Sequence, residues 1–296
     1  MKKALPLLLL VLTAAIWGFA FVAQRVGNRH LDPFLYNGLR FALGAVSVAL
    51  VASLWKKGHT KLNRDILLLG LVLFTASSLQ QIGLVWTSAG AGGFITGLYV
   101  VFVPLIGILR KQRLGSKLLI ALPLSVAGLA MMNDFTDLMI SLGNGLVLLS
   151  AVFWAMHVQL IDKLRTRYDA LDLATGQYTI AAAASLLIAL GSLLLKDPHS
   201  LSSMSEALTK AGPAILYGGI FSVGIAFSMQ TYAQKMVAPT AAAIILSSEG
   251  IFALIGGATI LSEAIKTRTL VGAAMMLLAI LISLELKPTK AELSPI

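Results

Sequence analysis

The chain contains no cysteine and few charged residues. Of its 296 residues, 12% are Asp, Glu, Lys or Arg, about half the share found in soluble domains. The missing cysteines exclude a disulfide scaffold, iron–sulfur ligation and thiol catalysis. The low charge excludes an ordinary soluble enzyme and a disordered chain, because a soluble monomer of this composition would expose large apolar patches and aggregate.

Sequence motifs for several kinds of chemistry are missing as well. The four histidines lie in different segments, without an HExxH motif or a paired-carboxylate metal pattern. There is no GxxxxGK[ST] loop for ATP and no GxSxG nucleophile elbow. The net charge of +10 comes from basic clusters between apolar runs, not from one aromatic-interleaved face. We therefore expect no catalytic site, no metal, no cofactor and no nucleic acid partner.

Long apolar runs dominate the sequence. Hydrophobic residues make up 57% of the chain and its mean hydropathy is +0.87, which indicates an integral membrane protein. A bilayer core about 30 Å thick needs roughly 20 apolar residues per helix. Runs between charges, glycines, prolines and turns predict ten transmembrane helices. Their predicted limits are 4–26, 33–54, 65–86, 93–109, 118–133, 141–161, 172–195, 212–234, 240–261 and 269–286.

The links between these runs are short, so almost no chain remains for an extramembrane domain. The longest link, Lys196 to Ala211, opens with Asp197-Pro198 and is rich in serine and threonine, which predicts a surface loop. The start, Met1-Lys2-Lys3 followed by Leu7 to Leu12, also suits a signal peptide. Because the apolar run continues to Val26, an uncleaved first helix is the preferred interpretation.

Basic residues between the predicted helices are distributed unevenly. With ten helices, one side collects most of them, including Lys2-Lys3, Lys56-Lys57 and Arg110-Lys111. The other side has fewer, among them Arg25 and Arg29. Because loops rich in Lys and Arg stay in the cytoplasm, this distribution predicts that both termini are cytoplasmic.

The sequence also repeats itself in order. Leu12 to Gly18 (LTAAIWG) matches Leu149 to Ala155 (LSAVFWA) at an offset of 137 positions. Further matches are Arg40-Phe41 with Gln177-Tyr178 at the same offset, and Ser78-Leu79-Gln80 with Ser228-Met229-Gln230 where the offset has drifted to 150. Each copy holds five helices, an odd number, so the second must enter the membrane from the opposite side. Inverted repeats of this kind are typical of secondary transporters, whose solute site lies near the membrane midplane.

A set of loose motifs, kept in order, extends over nearly the whole chain. They are Trp17-Gly18, Arg40-Phe41, Ala89 to Tyr99 (AGAGGFITGLY) leading to Pro104, Leu149 to Ala155, Gln230 to Gln234 (QTYAQ), Ser247 to Ala253 (SSEGIFA) and Leu261-Ser262-Glu263. On these motifs the chain resembles the drug/metabolite transporter superfamily, in particular its EamA-type branch.

The resemblance implies an all-α membrane protein of ten transmembrane helices, built as two inverted five-helix repeats around a central cavity. The repeats would occupy residues 1–137 and 138–296. It further implies alternating-access export of small metabolites across a bacterial-type cytoplasmic (inner) membrane, with amino acids or related amphipathic solutes as the preferred class. Cationic drugs and phosphorylated metabolites remain alternatives.

The chain departs from the family pattern in two places. Many members have Glu-Pro where this chain has Glu249-Gly250, which loosens the helix without fixing a kink. The first repeat often ends its fourth helix with an acidic residue, whereas this chain has Arg110-Lys111-Gln112-Arg113.

Two charged residues fall deep inside predicted helices, Arg40 in the second and Glu249 in the ninth. A charge at the bilayer centre costs about 2.5–3.5 kcal/mol on insertion scales, so each requires a reason. Arg40 can hold a carboxylate or phosphate bidentately, or alternatively cap helix carbonyls or pair with Glu249. Glu249 can bind a substrate amine or carry a proton, or alternatively act as a structural hydrogen-bond acceptor.

Polar and aromatic residues accompany these charges inside the predicted helices. An unpaired amide in hydrocarbon is costly, so the glutamines should face a polar cavity or hold neighbouring helices together. As a group these residues predict an aromatic, mostly uncharged cavity for a small amphipathic solute. The predicted solute-binding residues are Trp17, Arg40, Gln80, Gln81, Tyr99, Trp154, His157, Gln177, Gln230, Ser247 and Glu249.

Two rival functions are a membrane channel and an intramembrane enzyme. An enzyme needs a nucleophile–base pair or metal ligands at midplane depth, and the sequence offers only His157 without an evident partner. The expected partners are thus a small-molecule solute and the lipid bilayer, and the sequence carries no sign of a particular oligomeric state. The energy source, proton coupling or the solute gradient, stays open.

Overall fold

A computed structural model describes residues 4–55, 62–112, 115–132, 142–194 and 204–284. Within these ranges the chain is helical and contains no strand. The helical segments are α1 (Ala4–Asn28), α2 (Pro33–Trp55), α3 (Arg64–Gly83), α4 (Ala89–Gly97), α5 (Tyr99–Leu109), α6 (Leu118–Met132), α7 (Leu142–Leu164), α8 (Ala170–Leu194), α9 (Met204–Leu216), the π-helical α10 (Tyr217–Phe227), α11 (Ser228–Ala233), α12 (Pro239–Leu246), α13 (Glu249–Leu261) and α14 (Thr267–Leu284).

These segments match the ten predicted transmembrane helices. Eight helical stretches are long and apolar enough to cross a bilayer, and α6 and α14 are shorter apolar helices at the remaining two positions. Three of the eight stretches are composite: α4 continues into α5, α9 into α10 and α11, and α12 into α13. The ten-helix prediction is confirmed. The predicted ends at 133, 141, 195 and 285–286 lie outside the described residues.

One predicted loop is wrong in its second half. The link from Lys196 to Ala211 was expected to be a surface loop throughout, but α9 begins at Met204. This segment is amphipathic, and its exposed side carries an ion pair in which Lys210 Nζ lies 2.7 Å from Glu206 Oε1. A pair at this i,i+4 spacing supports helix on a polar face, which a search for apolar runs does not detect.

Two of the composite stretches are interrupted in the middle. Between α4 and α5 the backbone turns at Leu98, and between α12 and α13 it turns at Ser247 and Ser248. The residue that starts the second half-helix is Tyr99 in one stretch and Glu249 in the other. These two residues are 150 positions apart, the same offset that relates Gln80 to Gln230. The interruptions therefore occupy equivalent places in the two repeats.

Helices in equivalent positions pack against one another. In this arrangement α2 packs on α8, α6 on α14 and α4 on α13, while α1 packs on α10 and α3 on α7. Such pairing is what two five-helix repeats related by a pseudo-twofold axis produce. The predicted division of the chain at 137/138 falls within residues 133–141, outside the described part, and stays a prediction.

The surface of the bundle is apolar where a bilayer would surround it. Large side chains on its outer faces are exposed, among them Leu50, Ile120, Leu187 and Leu281. The interior instead holds a large cluster of buried apolar residues that includes Phe41. An apolar exterior around a packed interior is the arrangement of an integral membrane protein.

Both interrupted stretches end in a backward turn that contains one residue with a left-handed φ. After α5, Lys111 takes a left-handed φ of 59°, and after α13, Ser262 takes a φ of 58°. The next residue of the first turn, Gln112, donates its backbone N–H to Gly107 O at 2.9 Å. The equivalent residue of the second turn, Glu263, donates its own N–H to a glycine carbonyl of α13 at 3.0 Å. We call these turns the Gln112 hook (residues 107–112) and the Glu263 hook (residues 257–263).

Candidate functional site

A cavity of about 40 Å³ lies among the helices, room for about three water molecules. Side chains from both repeats surround it. Its lining consists of Trp17, Ala20, Phe21, Gln24, Arg40, Gln80, Thr96, Tyr99, Trp154, Val158, Ser222, Phe227, Gln230, Leu246 and Glu249. The interruptions of both broken stretches open onto it, since Tyr99 and Glu249 are the first residues of their half-helices.

The structure brings most of the predicted site residues together here. Seven of the eleven line the cavity: Trp17, Arg40, Gln80, Tyr99, Trp154, Gln230 and Glu249. The remaining four, Gln81, His157, Gln177 and Ser247, are buried outside the lining. That any of the eleven binds solute remains a prediction.

Glu249 presents its carboxylate at the start of a half-helix. The side chain is 3% exposed, and Oε1 has no hydrogen-bond partner among the described residues. The hydroxyl of Tyr99 lies close to the carboxylate but does not meet hydrogen-bond geometry. The backbone N–H groups that follow it are already engaged, since Gly250 donates to Ser247 O at 3.2 Å and Ile251 to Ser248 O at 2.9 Å. Glu249 is thus a buried carboxylate whose Oε1 can still accept a hydrogen bond.

Arg40 brings the opposite charge to the lining. Its Nε donates to Asn37 Oδ1 at 2.8 Å, and its guanidinium carbon lies 4.9 Å from the centre of the Phe41 ring. In the described part of the chain no hydrogen bond engages its two Nη nitrogens, and no ion pair joins it to Glu249. The two charges therefore do not neutralise each other, and the bidentate edge of the guanidinium is free.

Amides and aromatic rings complete the wall. Gln80 donates to Thr96 Oγ1 at 3.1 Å, whereas Gln230 Oε1 and Gln24 Oε1 have no partner among the described residues. The Phe227 ring is central to the aromatic part. Its centroid lies 4.5 Å from that of Trp17 and 5.7 Å from that of Trp154. The cavity therefore combines apolar ring faces with unpaired amide oxygens.

Two of the residues outside the lining have structural partners. Gln81 donates to Asn28 Oδ1 at 2.8 Å and to Gln24 O at 3.1 Å, which joins α3 to α1. Ser247 returns its hydroxyl to Ile244 O within its own half-helix at 2.8 Å. The sequence placed these polar side chains at the right depth but could not tell which face of the helix they occupy.

The other two, His157 and Gln177, contact each other behind the cavity wall. His157 Nε2 lies 2.6 Å from Gln177 Oε1, and both side chains are fully buried. The imidazole meets the rings of Trp154 and Phe227 edge-on, with centroids 5.9 Å away in each case. Since both rings line the cavity, the His157–Gln177 pair forms the layer immediately behind its wall.

Comparison with known proteins assigns the chain to a family. The EamA-like transporter family matches residues 4–134 and again residues 141–284. The chain belongs to the EamA-like transporter family. It is 26% identical over 276 residues to an uncharacterized transporter of Archaeoglobus fulgidus, covering 92% of this chain and 83% of that protein. It is 21% identical over 271 residues to the uncharacterized transporter YoaV of Bacillus subtilis, covering 88% and 90% respectively.

A solved crystal structure has the same fold. The two superpose with a TM-score of 0.74 at 16% sequence identity, over 93% of this chain and 95% of the other. Together with the family matches, this likeness makes the protein an integral membrane transporter of the EamA family. Among the described residues, no group of three or more His, Cys, Asp or Glu side chains is placed to hold a metal ion.

Sequence reasoning missed eight residues of the transporter's cavity: Ala20, Phe21, Gln24, Thr96, Val158, Ser222, Phe227 and Leu246. A signal for the first three was present. They follow Trp17 at spacings of three, four and seven residues, so they share one face of α1 with it. Val158 follows Trp154 by four in the same way. Ser222 and Phe227 lie in the π-helical segment α10, where α-helical spacing does not apply.

Both repeats contribute matching residues to the cavity. Five pairs of lining residues are related by the two sequence offsets of 137 and 150 positions: Trp17 and Trp154, Phe21 and Val158, Gln80 and Gln230, Thr96 and Leu246, Tyr99 and Glu249. The cavity therefore lies between the two repeats. This is the place where inverted-repeat transporters hold their solutes.

Proposed function

We propose that this transporter carries small zwitterionic, amphipathic solutes, with amino acids as the main class, by alternating access. One observation carries the proposal. The cavity lining contains two charged residues of opposite sign, Arg40 and Glu249, and within the described residues they form no ion pair with each other. Two separated, unneutralised charges in a buried cavity are complementary to a solute that carries both.

The carboxylate of the solute would bind Arg40. A planar guanidinium matches a carboxylate with two parallel hydrogen bonds, and both Nη nitrogens of Arg40 are free for them in the described structure. Asn37 fixes the orientation of the guanidinium through Nε. The side chain is therefore preorganised to receive an anion, which lowers the entropy lost on binding.

The ammonium group would bind Glu249. Its unpaired Oε1, together with the nearby unpaired amide oxygens of Gln24 and Gln230, supplies acceptors for the N–H groups of an amine. Aromatic rings of the wall add a surface on which a cation and an apolar side chain are both stabilised. Among the alternatives, a purely cationic drug leaves Arg40 without a counter-charge, and a phosphorylated metabolite is repelled by Glu249.

Transport requires the cavity to enlarge. Its volume of about 40 Å³ is small against the roughly 300–1,000 Å³ of ligand pockets. The helices must therefore move apart to admit an amino acid. The interruptions at Leu98 and at Ser247–Ser248 are suitable hinges, because the regular α-helical hydrogen bonds give way there to tighter i→i+3 bonds.

The proposal also includes the direction of transport and the orientation of the protein in the membrane. We place both termini in the cytoplasm and the protein in a bacterial-type cytoplasmic membrane, as the distribution of Lys and Arg predicts. Export is then movement from the side of the Gln112 hook to the side of the Glu263 hook. A carrier and not a channel or an enzyme fits this cavity, because a carrier needs a small site with groups that recognise its solute and no reactive group.

The test is counterflow into liposomes that contain the purified protein. Vesicles are preloaded with unlabelled amino acids, and uptake of labelled phenylalanine is compared with uptake of phenethylamine and phenylpropionate, which each lack one charge. We expect saturable counterflow of the amino acid and at least about tenfold slower uptake of either analogue. Equal uptake of all three, or unsaturable flux, contradicts the proposal.

Variants of Arg40 and Glu249 test which charge of the solute each residue binds. We expect Arg40→Ala to lose the preference for phenylalanine over phenethylamine, and Glu249→Gln to lose the preference over phenylpropionate. Arg40→Lys keeps the charge without the bidentate edge, and Arg29→Ala changes an exposed residue in the turn after α1 as a control. A pH gradient is imposed in parallel, since acceleration by the gradient would make the exchange proton-coupled.

A further inference from the structure

One difference between the two repeats decides whether a polar residue reaches the cavity. Counted at the offset of 137 positions, Arg40 of the first repeat corresponds to Gln177 of the second, and Ala20 corresponds to His157. Ala20 and Arg40 line the cavity, but His157 and Gln177 do not. Trp17 and Trp154, which correspond to each other, both line the cavity. The asymmetry therefore lies in the replacement of Ala20 and Arg40 by His157 and Gln177.

The small side chain in the first repeat leaves the charged residue accessible. Ala20 occupies the wall with one methyl group, so the guanidinium of Arg40 can face the cavity past it. In the second repeat an imidazole occupies the corresponding position. It lies behind the rings of Trp154 and Phe227 and contacts Gln177 through Nε2 at 2.6 Å. The imidazole therefore fills the space through which Gln177 would otherwise reach the solute.

Unpaired polar atoms surround this filled space. Within the described residues, three buried atoms here have no hydrogen-bond partner: Trp154 Nε1, His157 Nδ1 and Gln177 Nε2. The hydroxyls of Tyr178 and Ser228 are buried here too, but they lie close to each other. Buried polar groups are almost always paired, because an unpaired group has given up its hydrogen bonds to water without replacing them. Trp154 Nε1 and Gln177 Nε2 can donate a hydrogen bond whatever the histidine tautomer. A recess with two unused donors is complementary to a hydrogen-bond acceptor.

We propose that the recess behind His157 is a second solute subsite, which accepts a carbonyl or hydroxyl oxygen of the solute's side chain and is closed by the His157–Gln177 contact. The proposal rests on the proposed function, since it concerns the same cavity. His157 then determines specificity: as long as it occupies the recess, the cavity selects apolar side chains. Its removal extends the cavity from Trp154 towards Gln177.

The test compares two amino acids of similar size in the counterflow assay. Leucine has an apolar side chain and glutamine has an amide that the recess can bind. For each variant the ratio of uptake efficiency for glutamine over leucine is measured on the same preparation, so the fraction of folded protein cancels. We expect His157→Ala to raise this ratio about tenfold, and His157→Gln, which refills the space and can pair with Gln177, to keep the wild-type ratio.

Two further variants protect the test against misfolding and against a purely structural role. Gln177→Ala leaves the imidazole in the recess and removes one of its donors, so it is expected not to raise the ratio. Ala20→His installs an imidazole at the corresponding place in the first repeat, where it should screen Arg40 and weaken uptake of both amino acids equally, without a change in ratio.

The outcomes separate this inference from the proposed function. Wild-type counterflow with a ratio that His157→Ala leaves unchanged overturns the subsite, and means that the recess holds only ordered water. If the wild-type protein exchanges no amino acid at all, the proposed function itself fails. A ratio raised in His157→Ala, kept at the wild-type value in His157→Gln and not raised in Gln177→Ala, is the result that the structure predicts.

Discussion

The two hooks resemble each other in the backbone, but different side chains hold them in place. Each follows a half-helix, each contains a residue near φ 58–59°, and each returns an N–H to a glycine carbonyl. In the Glu263 hook the carboxylate accepts backbone N–H groups from Ala89 at 3.1 Å and Gly90 at 3.2 Å, at the start of α4. One side chain thus joins the ends of the two interrupted stretches.

The Gln112 hook is held instead by several side chains of α7. Gln112 Nε2 donates to Asp162 Oδ2 at 3.1 Å, and Gln159 Nε2 donates to Gln112 Oε1 at the same distance. Arg165 extends the network, with Nε 3.0 Å from Asp162 Oδ1 and Nη1 donating to Lys235 O at 2.8 Å. The Glu263 hook thus depends on a single carboxylate, whereas the Gln112 hook depends on a distributed network, and we expect each hook to help close the cavity on its own side of the membrane. Loss of one residue should therefore open the first end more than the second.

The largest effect is expected from Glu263→Ala. The carboxylate is partly buried and makes two hydrogen bonds to backbone donors, and a bond to a charged group contributes about 1.5–3 kcal/mol. We expect labelling of a cysteine at Ser222, in the cavity wall, to accelerate about tenfold from the Glu263 side. Because the chain has no cysteine, that thiol is the only one, and an impermeant maleimide in sealed vesicles of known orientation reports the rate.

Glu263→Gln is the matched control for this variant. An amide oxygen can still accept from one backbone N–H but carries no charge, so the acceleration should be intermediate. If the alanine variant labels at the wild-type rate from the Glu263 side, the carboxylate does not hold this end of the cavity closed.

A smaller effect is expected from Asp162→Asn at the opposite end. The amide can still accept from Gln112, and Arg165 retains its bond to Lys235 O, so most of the network survives. Labelling of the same cysteine from the Gln112 side should rise no more than about threefold. An increase as large as that of Glu263→Ala would remove the difference between the two ends.

The glycines inside the hooks should give a smaller effect again. A Cβ added at Gly257 would lie 2.3 Å from Glu263 Oε2, and one added at Gly107 would lie 2.5 Å from Gln112 Oε1. Both atoms are ends of flexible side chains, so each can move aside at the expense of its hydrogen bonds. We expect Gly257→Ala to accelerate labelling from its own side more than Gly107→Ala does from the other. The reverse order would show that the distributed network is the less tolerant one.

Much of this fold could be predicted from the sequence because the bilayer imposes its length on apolar runs. The ten helices follow from hydropathy, and seven of the predicted site residues line the cavity because polar groups at midplane depth have few other places to go. The hooks could not be predicted, since Lys111 and Ser262 adopt a left-handed backbone that residues of these types seldom take. Only the motif Leu261-Ser262-Glu263 marked the second hook, without indicating what its carboxylate binds.

The remaining site residues could not be placed because the sequence gives the depth of a side chain in the membrane but not the direction in which it points. Gln81 and Ser247 lie as deep as the cavity residues but point to helix neighbours. His157 could not be placed from the sequence either, because the alignment of the repeats sets it beside the small Ala20 and not beside a polar residue. A single sequence gives the depth of a side chain from its position in an apolar run, whereas its direction depends on which helices pack around it.

The smallest effect is expected from Arg167→Ala. This variant tests whether an exposed charge near the Gln112 hook contributes to closing that end, in addition to the hydrogen-bond network of the hook. Arg167 Nη1 lies 3.7 Å from Asp65 Oδ2, but the two side chains are 62% and 35% exposed, and exposed pairs contribute about 0–1 kcal/mol. Asp65 also keeps a hydrogen bond from Tyr168 at 3.0 Å. We expect the labelling rate from either side to equal that of the wild type. If this variant opens the Gln112 end as far as Asp162→Asn does, surface charge and not the buried part of the network holds that end closed.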